Sequence, residues 1–251
     1  MRQAAIRKRA AIHTRRPQSR GVSKIKAIAI ATVKGDCLVT LAASVTSYVP
    51  QDVVVFLSGS SMIFPRHRTI TLTNEATNFG DAYNFVMKRA FQEFDEVVCC
   101  NDDIVFTPTT WQTLSENVSQ LKGKSIPLGW VACRSDYARG YQNIRLGQGR
   151  MDFFKFETEK AMIETDIIAP ICAYIHKDAW IDFPPINWYS DDIQCIDMTA
   201  KGLRHFISTA YVHHVGSATV GRDGKKCIED AKPWILENRP ELAEQWFPKI
   251  D

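Results

Sequence analysis

The feature that most constrains this chain is an alternation that begins near Lys24. Runs rich in β-branched and apolar residues take turns with stretches whose apolar side chains recur at helical spacing. Residues 25–33 read as a strand, and 36–49 as a helix with Leu38, Leu41, Ala42, Val45 and Val49 on one stripe. Residues 53–57 read as a second strand, stopping in the small-residue loop Ser58-Gly59-Ser60-Ser61. A strand over 69–72, an amphipathic helix over 79–94, a strand over 96–100 and a helix over 109–121 follow. Strands joined through helices predict an α/β protein with a mixed, mostly parallel sheet and helices on both faces. Ligands then sit where loops leave the carboxyl ends of the strands, here after the first, second and fourth.

The second half is less regular. Residues 129–133 and 167–176 are strand-like, 191–201 helical, and 203–213 a late strand, with terminal helices over 229–248 bearing Trp234 and Trp246. No Pro/Gly/Ser-rich linker divides it from the first. The expectation is a basic arm over 1–23 and a single domain over 24–251, with one half at 24–125 and another at 126–251.

Charge is distributed unevenly. Nine of the 31 Lys and Arg residues lie within residues 1–26, which hold none of the 28 acids. The remainder carries 22 bases against 28 acids, a net of −6, which argues against a general binder of nucleic-acid backbones. The arm reads as solvated chain, with peripheral contact to an anionic surface as its other use. No apolar core follows its charges, as a secretory leader requires, and no apolar run approaches the roughly 20 residues of a membrane helix. Seven Cys without a CxxC pair, mostly in apolar stretches, read as reduced, buried thiols. A cytoplasmic location is expected.

Three polar clusters stand out. Asn101-Asp102-Asp103 puts two adjacent carboxylates at the mouth of a buried strand, where both stay ionised only with a compensating cation or hydrogen bonds. Hard divalent cations prefer such oxygen ligands, although the same three residues also suit a turn or helix cap. Ser190-Asp191-Asp192 follows Trp188-Tyr189 and precedes a helix; a carboxylate there can cap the helix or take a proton from a hydroxyl. His213-His214 ends a strand and enters Val215-Gly216-Ser217-Ala218-Thr219. Only one of two neighbouring strand residues can face a given site, and an imidazole there can bind Mn2+, donate to phosphate or simply satisfy backbone.

The stretch from Asn74 through Asn78, Gly80 and Asn84 resembles the N..N.G.a.N segment of GT-A glycosyltransferases, which a helix, a strand and an acidic, DXD-like metal motif follow. WYSDD before a helix resembles that family's acidic pair, and HHVGSAT its terminal histidine and loop. The four motifs fall in order between about Lys26 and Gly221. The chain is therefore similar to the inverting, family-two-like branch of that Rossmann-like fold.

That resemblance implies a metal-dependent transferase that moves a sugar from a nucleotide-sugar donor, a UDP-sugar on family grounds, to a hydroxyl of a glycan or other acceptor, with inversion. It implies Mn2+ or Mg2+ on Asp103, with His214 as a further metal or diphosphate contact and His213 second. Asp102 would contact the ribose or support the metal. Thr32, Ser58, Asn78, Gly80 and Asn84 would shape the donor pocket. Asp192 would be the general base, with Asp191 its alternate. Residues 134–150 read as a mobile lid or acceptor loop, or as an ordinary exposed loop; Tyr137, Arg139 and Tyr141, with Trp188, are the acceptor-side candidates, and Arg145 and Arg150 belong to the same stretch.

Two features depart from the family. Ser58-Gly59-Ser60-Ser61 stands where an Asp often reads the nucleobase. Gln194 replaces an acidic residue, and Asp182-Phe183-Pro184-Pro185-Ile186-Asn187 replaces the common G-x-F-D-E approach. The alternatives are a sugar nucleotidyltransferase, whose glycine-rich phosphate loop is missing at Ala31–Asp36, and a non-catalytic module binding glycans or polyanions.

Overall fold

The computed structural model describes residues 25–32, 35–144, 161–216 and 224–247. The first half follows the expected alternation: β1 (Ala27–Ala31), α1 (Leu38–Tyr48), β2 (Val54–Ser58), β3 (Thr69–Leu72), α2 (Phe79–Ala90), β4 (Glu96–Asn101), β5 (Ile104–Phe106) and α3 (Thr110–Lys122). The second half adds β6 (Leu128–Ser135), β7 (Ile163–Thr165), β8 (Cys172–His176), α4 (Ser190–Ala200), β9 (Arg204–His214), α5 (Gly224–Asn238) and α6 (Pro240–Trp246).

The nine strands among the described residues form one mixed sheet in the order β3-β2-β1-β4-β8-β6-β9-β5, with β7 also on β9. Strands β1 to β4 are parallel neighbours, while β8 enters antiparallel between β4 and β6. β6 and β9 are parallel to each other, so six of the nine strands share one direction. Both halves of the chain thus contribute to one sheet and meet twice, at β4 with β8 and at β9 with β5.

Alternation in β1 (Ala-Ile-Ala-Ile-Ala) sets the two layers. Ile28 and Ile30 pack with Leu41 and Val45 of α1 and with Trp111 and Val118 of α3. Ala27 and Ala29 face the other way, where their small side chains admit Tyr83, Val86 and Met87 of α2 and, further along the sheet, Cys195 and Met198 of α4. A smaller core joins Ile186 and Ile193 to Ala231, Ile235, Leu242 and Ala243, which anchors α5 and α6 against the outer side of α4. Cys99, Cys100, Cys133, Cys172 and Cys195 are free and buried, and Cys37 and Cys227 are free and partly exposed. Among the described residues no helix is long and apolar enough to cross a membrane.

Candidate active site

Parallel register brings the first polar groups together. Ala31 lies opposite both Ser58 and Asn101, so the residues that follow each strand emerge side by side. Thr32 N–H donates to Ser58 O at 3.0 Å, and Gly59 turns away at φ +87. A Cβ on Gly59 would lie 2.0 Å from Thr32 O, so this crossing requires glycine. Thr32 Oγ1 then donates to Asp102 Oδ2 at 2.5 Å and accepts from Gly35 N–H at 3.0 Å. Burial raises the Asp102 pKa and the Asp103 charge adds to the rise, while the Thr32 hydroxyl opposes it. Ser58 Oγ is fully buried and has no hydrogen-bond partner among the described residues.

Asp103 faces the other direction, toward the end of β9. His214 Nε2 lies 3.1 Å from Asp103 Oδ1, and Val215 N–H donates to Asp103 O at 3.0 Å. His214 Nδ1 is 3.0 Å from Tyr137 O, a carbonyl that can only accept, so Nδ1 carries a proton. In the neutral imidazole Nε2 is then an acceptor facing an acceptor carboxylate. Such a contact is satisfied by a proton held between the two groups, on either one, or by a cation shared between them. An oxygen-plus-imidazole donor set suits Mn2+. Among the described residues no group of three or more His, Cys, Asp and Glu side chains could hold a metal ion by itself. Asp103 and His214 would be two ligands of such a cation among the described residues.

His213 points to the opposite side of β9 from His214, as strand alternation requires. Its Nδ1 lies 2.8 Å from Asp136 Oδ2, away from Asp103. Asp136 is fully buried and also accepts from Tyr211 OH at 3.2 Å and from His214 N–H at 2.9 Å. Sequence reasoning did not single out Asp136, because its partners lie some 75 residues away or more.

The second acid pair opens α4. Tyr189, at φ +66, turns the chain into the helix, and both Asp191 and Asp192 lie in its first turn, where the helix dipole favours anions. Arg139 forms an ion pair with Asp192 Oδ1, and its other terminal nitrogen lies 3.6 Å from Asp191 Oδ2. Burial works against the Arg139 guanidinium, but the two carboxylates outweigh it and raise its pKa. Burial also pushes Asp191 up to about 6; Arg139 opposes that shift and the Asp192 charge adds to it. Asp192 is buried, and its Oδ2 has no hydrogen-bond partner among the described residues.

Asn78, Gly80 and Asn84 serve this second pair structurally. Asn78 caps α2 by accepting from Asp81 N–H at 2.8 Å. Asn84 Nδ2 donates to Phe183 O at 2.9 Å, and Asn84 Oδ1 accepts from Phe183 N–H at 2.8 Å. A Cβ on Gly80 would sit 1.8 Å from Pro184 O, so the loop that replaces the usual approach to the acids lies directly on α2. Ser190 Oγ donates to Pro184 O at 2.7 Å and ties that loop to the start of α4. Gln194, the other departure, is a buried bridge: it accepts from Trp130 Nε1 at 2.8 Å and donates to Ile181 O at 2.5 Å. A carboxylate could not make the second of these bonds without a proton.

Among the proposed acceptor residues, Tyr137 and Tyr141 are exposed. Trp188 packs partly buried beside Tyr189 against the core formed with α5 and α6. Arg145, Arg150, Ser217, Ala218, Thr219 and the arm over 1–23 lie outside the described residues. One set of contacts runs from Asp103 to His214, from His214 to the Tyr137 carbonyl, and from Arg139, two residues on, to Asp192.

No family model and no curated protein sequence matches the chain. Solved structures do. S. aureus TarS 1–349 in complex with UDP-GlcNAc superposes with a TM-score of 0.54 at 14% identity, over 85% of this chain and 66% of that one. The same protein in complex with UDP gives 0.53 at 14% identity, over 85% and 65%. A longer TarS structure gives 0.51 at 13% identity, over 85% of this chain and 39% of its own length. This chain thus spans just under two thirds of TarS 1–349. The architecture is the GT-A glycosyltransferase fold.

Proposed function

We propose that the chain is a glycosyltransferase that takes a sugar from a nucleotide-sugar donor, a UDP-sugar, and passes it to an acceptor hydroxyl with inversion. The observation that carries this reading is that residues 137–139 touch both acid sites: the Tyr137 carbonyl meets His214 beside Asp103, and Arg139 meets Asp192. That stretch joins a cation-suited acid and imidazole to a second acid at a helix N-terminus, two groups that transfer from a diphosphate requires. The solved structures of like fold hold UDP and UDP-GlcNAc, which supports the donor class.

In this reading Thr32 and Asp102 hold the ribose side of the donor, and Asp103 with His214 would hold Mn2+ or Mg2+. A divalent cation supplies Lewis-acid stabilisation of negative charge growing on a departing diphosphate. Asp192 acts from α4: Arg139 fixes its Oδ1, and the carboxylate takes the proton of the acceptor hydroxyl as that oxygen attacks the anomeric carbon. Arg139 and the exposed Tyr137 and Tyr141 line the acceptor side.

Thermal unfolding of the full chain with UDP, UDP-GlcNAc and other nucleotide sugars, each with Mn2+ or with EDTA, tests the reading. A ligand at about 100 times its Kd stabilises by about 2.7 kcal/mol, which raises Tm by several degrees. The expected result is a rise with a uridine nucleotide that Mn2+ enlarges. A flat response to every nucleotide and nucleotide sugar refutes it.

A further inference from the structure

We propose that Asp136 is a positioning residue that holds His214 in place against Asp103. This rests on the reading of Asp103 and His214 as a cation site and deepens it. Two consecutive residues grip His214 from both sides. Asp136 Oδ1 accepts the His214 backbone N–H at 2.9 Å, and the Tyr137 carbonyl holds the ring at Nδ1, 3.0 Å away. The first bond fixes where the backbone of β9 ends, and the second fixes the tautomer and plane of the ring, so Nε2 is the nitrogen left facing Asp103. A ring held through its other nitrogen in this way is the usual support for an imidazole that binds metal.

Asp136 is itself braced. Tyr211 OH donates to the same Oδ1 at 3.2 Å, and His213 Nδ1 sits 2.8 Å from Oδ2. Stability alone gives little reason for this arrangement: β6 and β9 are already paired through their backbones, and a carboxylate with no solvent exposure loses its hydration. Positioning gives a reason. It also explains the adjacent histidines, since one imidazole meets Asp103 and the other secures the carboxylate that places it. Tyr137 holds a left-handed conformation at φ +55, and Gly216 packs so close that a Cβ there would lie 2.9 Å from Tyr137 Cβ. The turn that presents the carbonyl is therefore enclosed as well.

The test is Mn2+ binding by the full chain, read from the electron paramagnetic resonance of free Mn2+, with UDP affinity in EDTA measured alongside. Asp136→Asn keeps the shape and one acceptor oxygen but brings a donor group against the surrounding donors. It is expected to weaken Mn2+ binding about tenfold or more, in the range for groups that support metal ligands, and to leave UDP affinity in EDTA within about twofold. Tyr211→Phe removes a single donor and should weaken Mn2+ binding less. It also supplies the measurement if the Asn variant does not fold. Unchanged Mn2+ affinity in the folded variants overturns the proposal. An equal loss of UDP affinity in EDTA also overturns it, because a merely structural role moves both. If the unaltered chain binds no Mn2+, the cation-site reading falls first, and this inference with it.

Discussion

The chain contains two pairs of adjacent aspartates, and their surroundings differ in kind. Asp102 and Asp103 leave a strand and are met by a neutral hydroxyl and an imidazole. Asp191 and Asp192 enter a helix and are met by a guanidinium that is permanently charged. In the proposed function the first pair, with His214, is where a divalent cation would sit. The second pair shares one guanidinium, and the proposed function assigns Asp192 there to the acceptor proton. Adjacent carboxylates thus sit in different electrostatic surroundings according to what faces them.

The largest expected effects separate the two pairs. Asp103→Ala should abolish the Mn2+-dependent part of UDP binding. Asp192→Asn should leave that binding intact and lower sugar transfer by about a hundredfold to ten-thousandfold, the range for loss of a general base. Titration calorimetry with and without Mn2+, together with a transfer assay, gives both numbers. Reversed results would exchange the roles assigned to the pairs, and normal turnover by both variants would remove them.

A smaller effect is expected where the regions touch. Gly80→Ala places a methyl 1.8 Å from Pro184 O, a backbone atom that cannot rotate away. The better helix propensity of Ala recovers about 1 kcal/mol, but displacing the loop should cost more, for a net loss of about 1–3 kcal/mol and a Tm lower by about 3–10 °C. Because Ser190 ties that loop to α4, transfer should fall further than UDP binding. Equal losses in both would mean that the loop does not position the second pair.

The two pairs were not equally legible in the sequence. The first half repeats one pattern, so β3 falls on residues 69–72 as expected and the other strands and helices there agree within a few residues. Helix α2 ends at Ala90 rather than 94, where Gln92 N–H turns back to Arg89 O. Strands β5 and β7 were not expected, since three residues carry no period. The expected strand over 167–176 shrinks to Cys172–His176, behind Pro170, which has no N–H to give a ladder. Direction is also invisible to periodicity, so nothing local shows that β8 runs antiparallel beside β4. Asp102 and Asp103 could be read because they end a strand in the regular half. The Arg139 contact to Asp192 spans 53 residues of the irregular half, and the grip of Asp136 on His214 spans 78. Neither has a local signature.

The smallest effect concerns Asp191 and its dependence on pH. A carboxyl at about 6 in the folded protein and near 3.8 when unfolded binds its proton more tightly in the native state. Below about pH 4 both states are protonated and the group contributes nothing. As pH rises toward 6 the unfolded chain ionises first, and the native state loses stability relative to it. Above pH 6 the loss is constant, at most about 3 kcal/mol on the scale of 1.36 kcal/mol per unit. Asp191→Asn removes this penalty while leaving Arg139 its partner in Asp192. It should therefore raise Tm at pH 7.5 by a few degrees and change it little at pH 4. The difference between wild-type and variant melts at the two pH values measures the effect directly. A variant less stable at pH 7.5 would show that Arg139 needs both carboxylates, so that the guanidinium supports the acids more than burial penalises them.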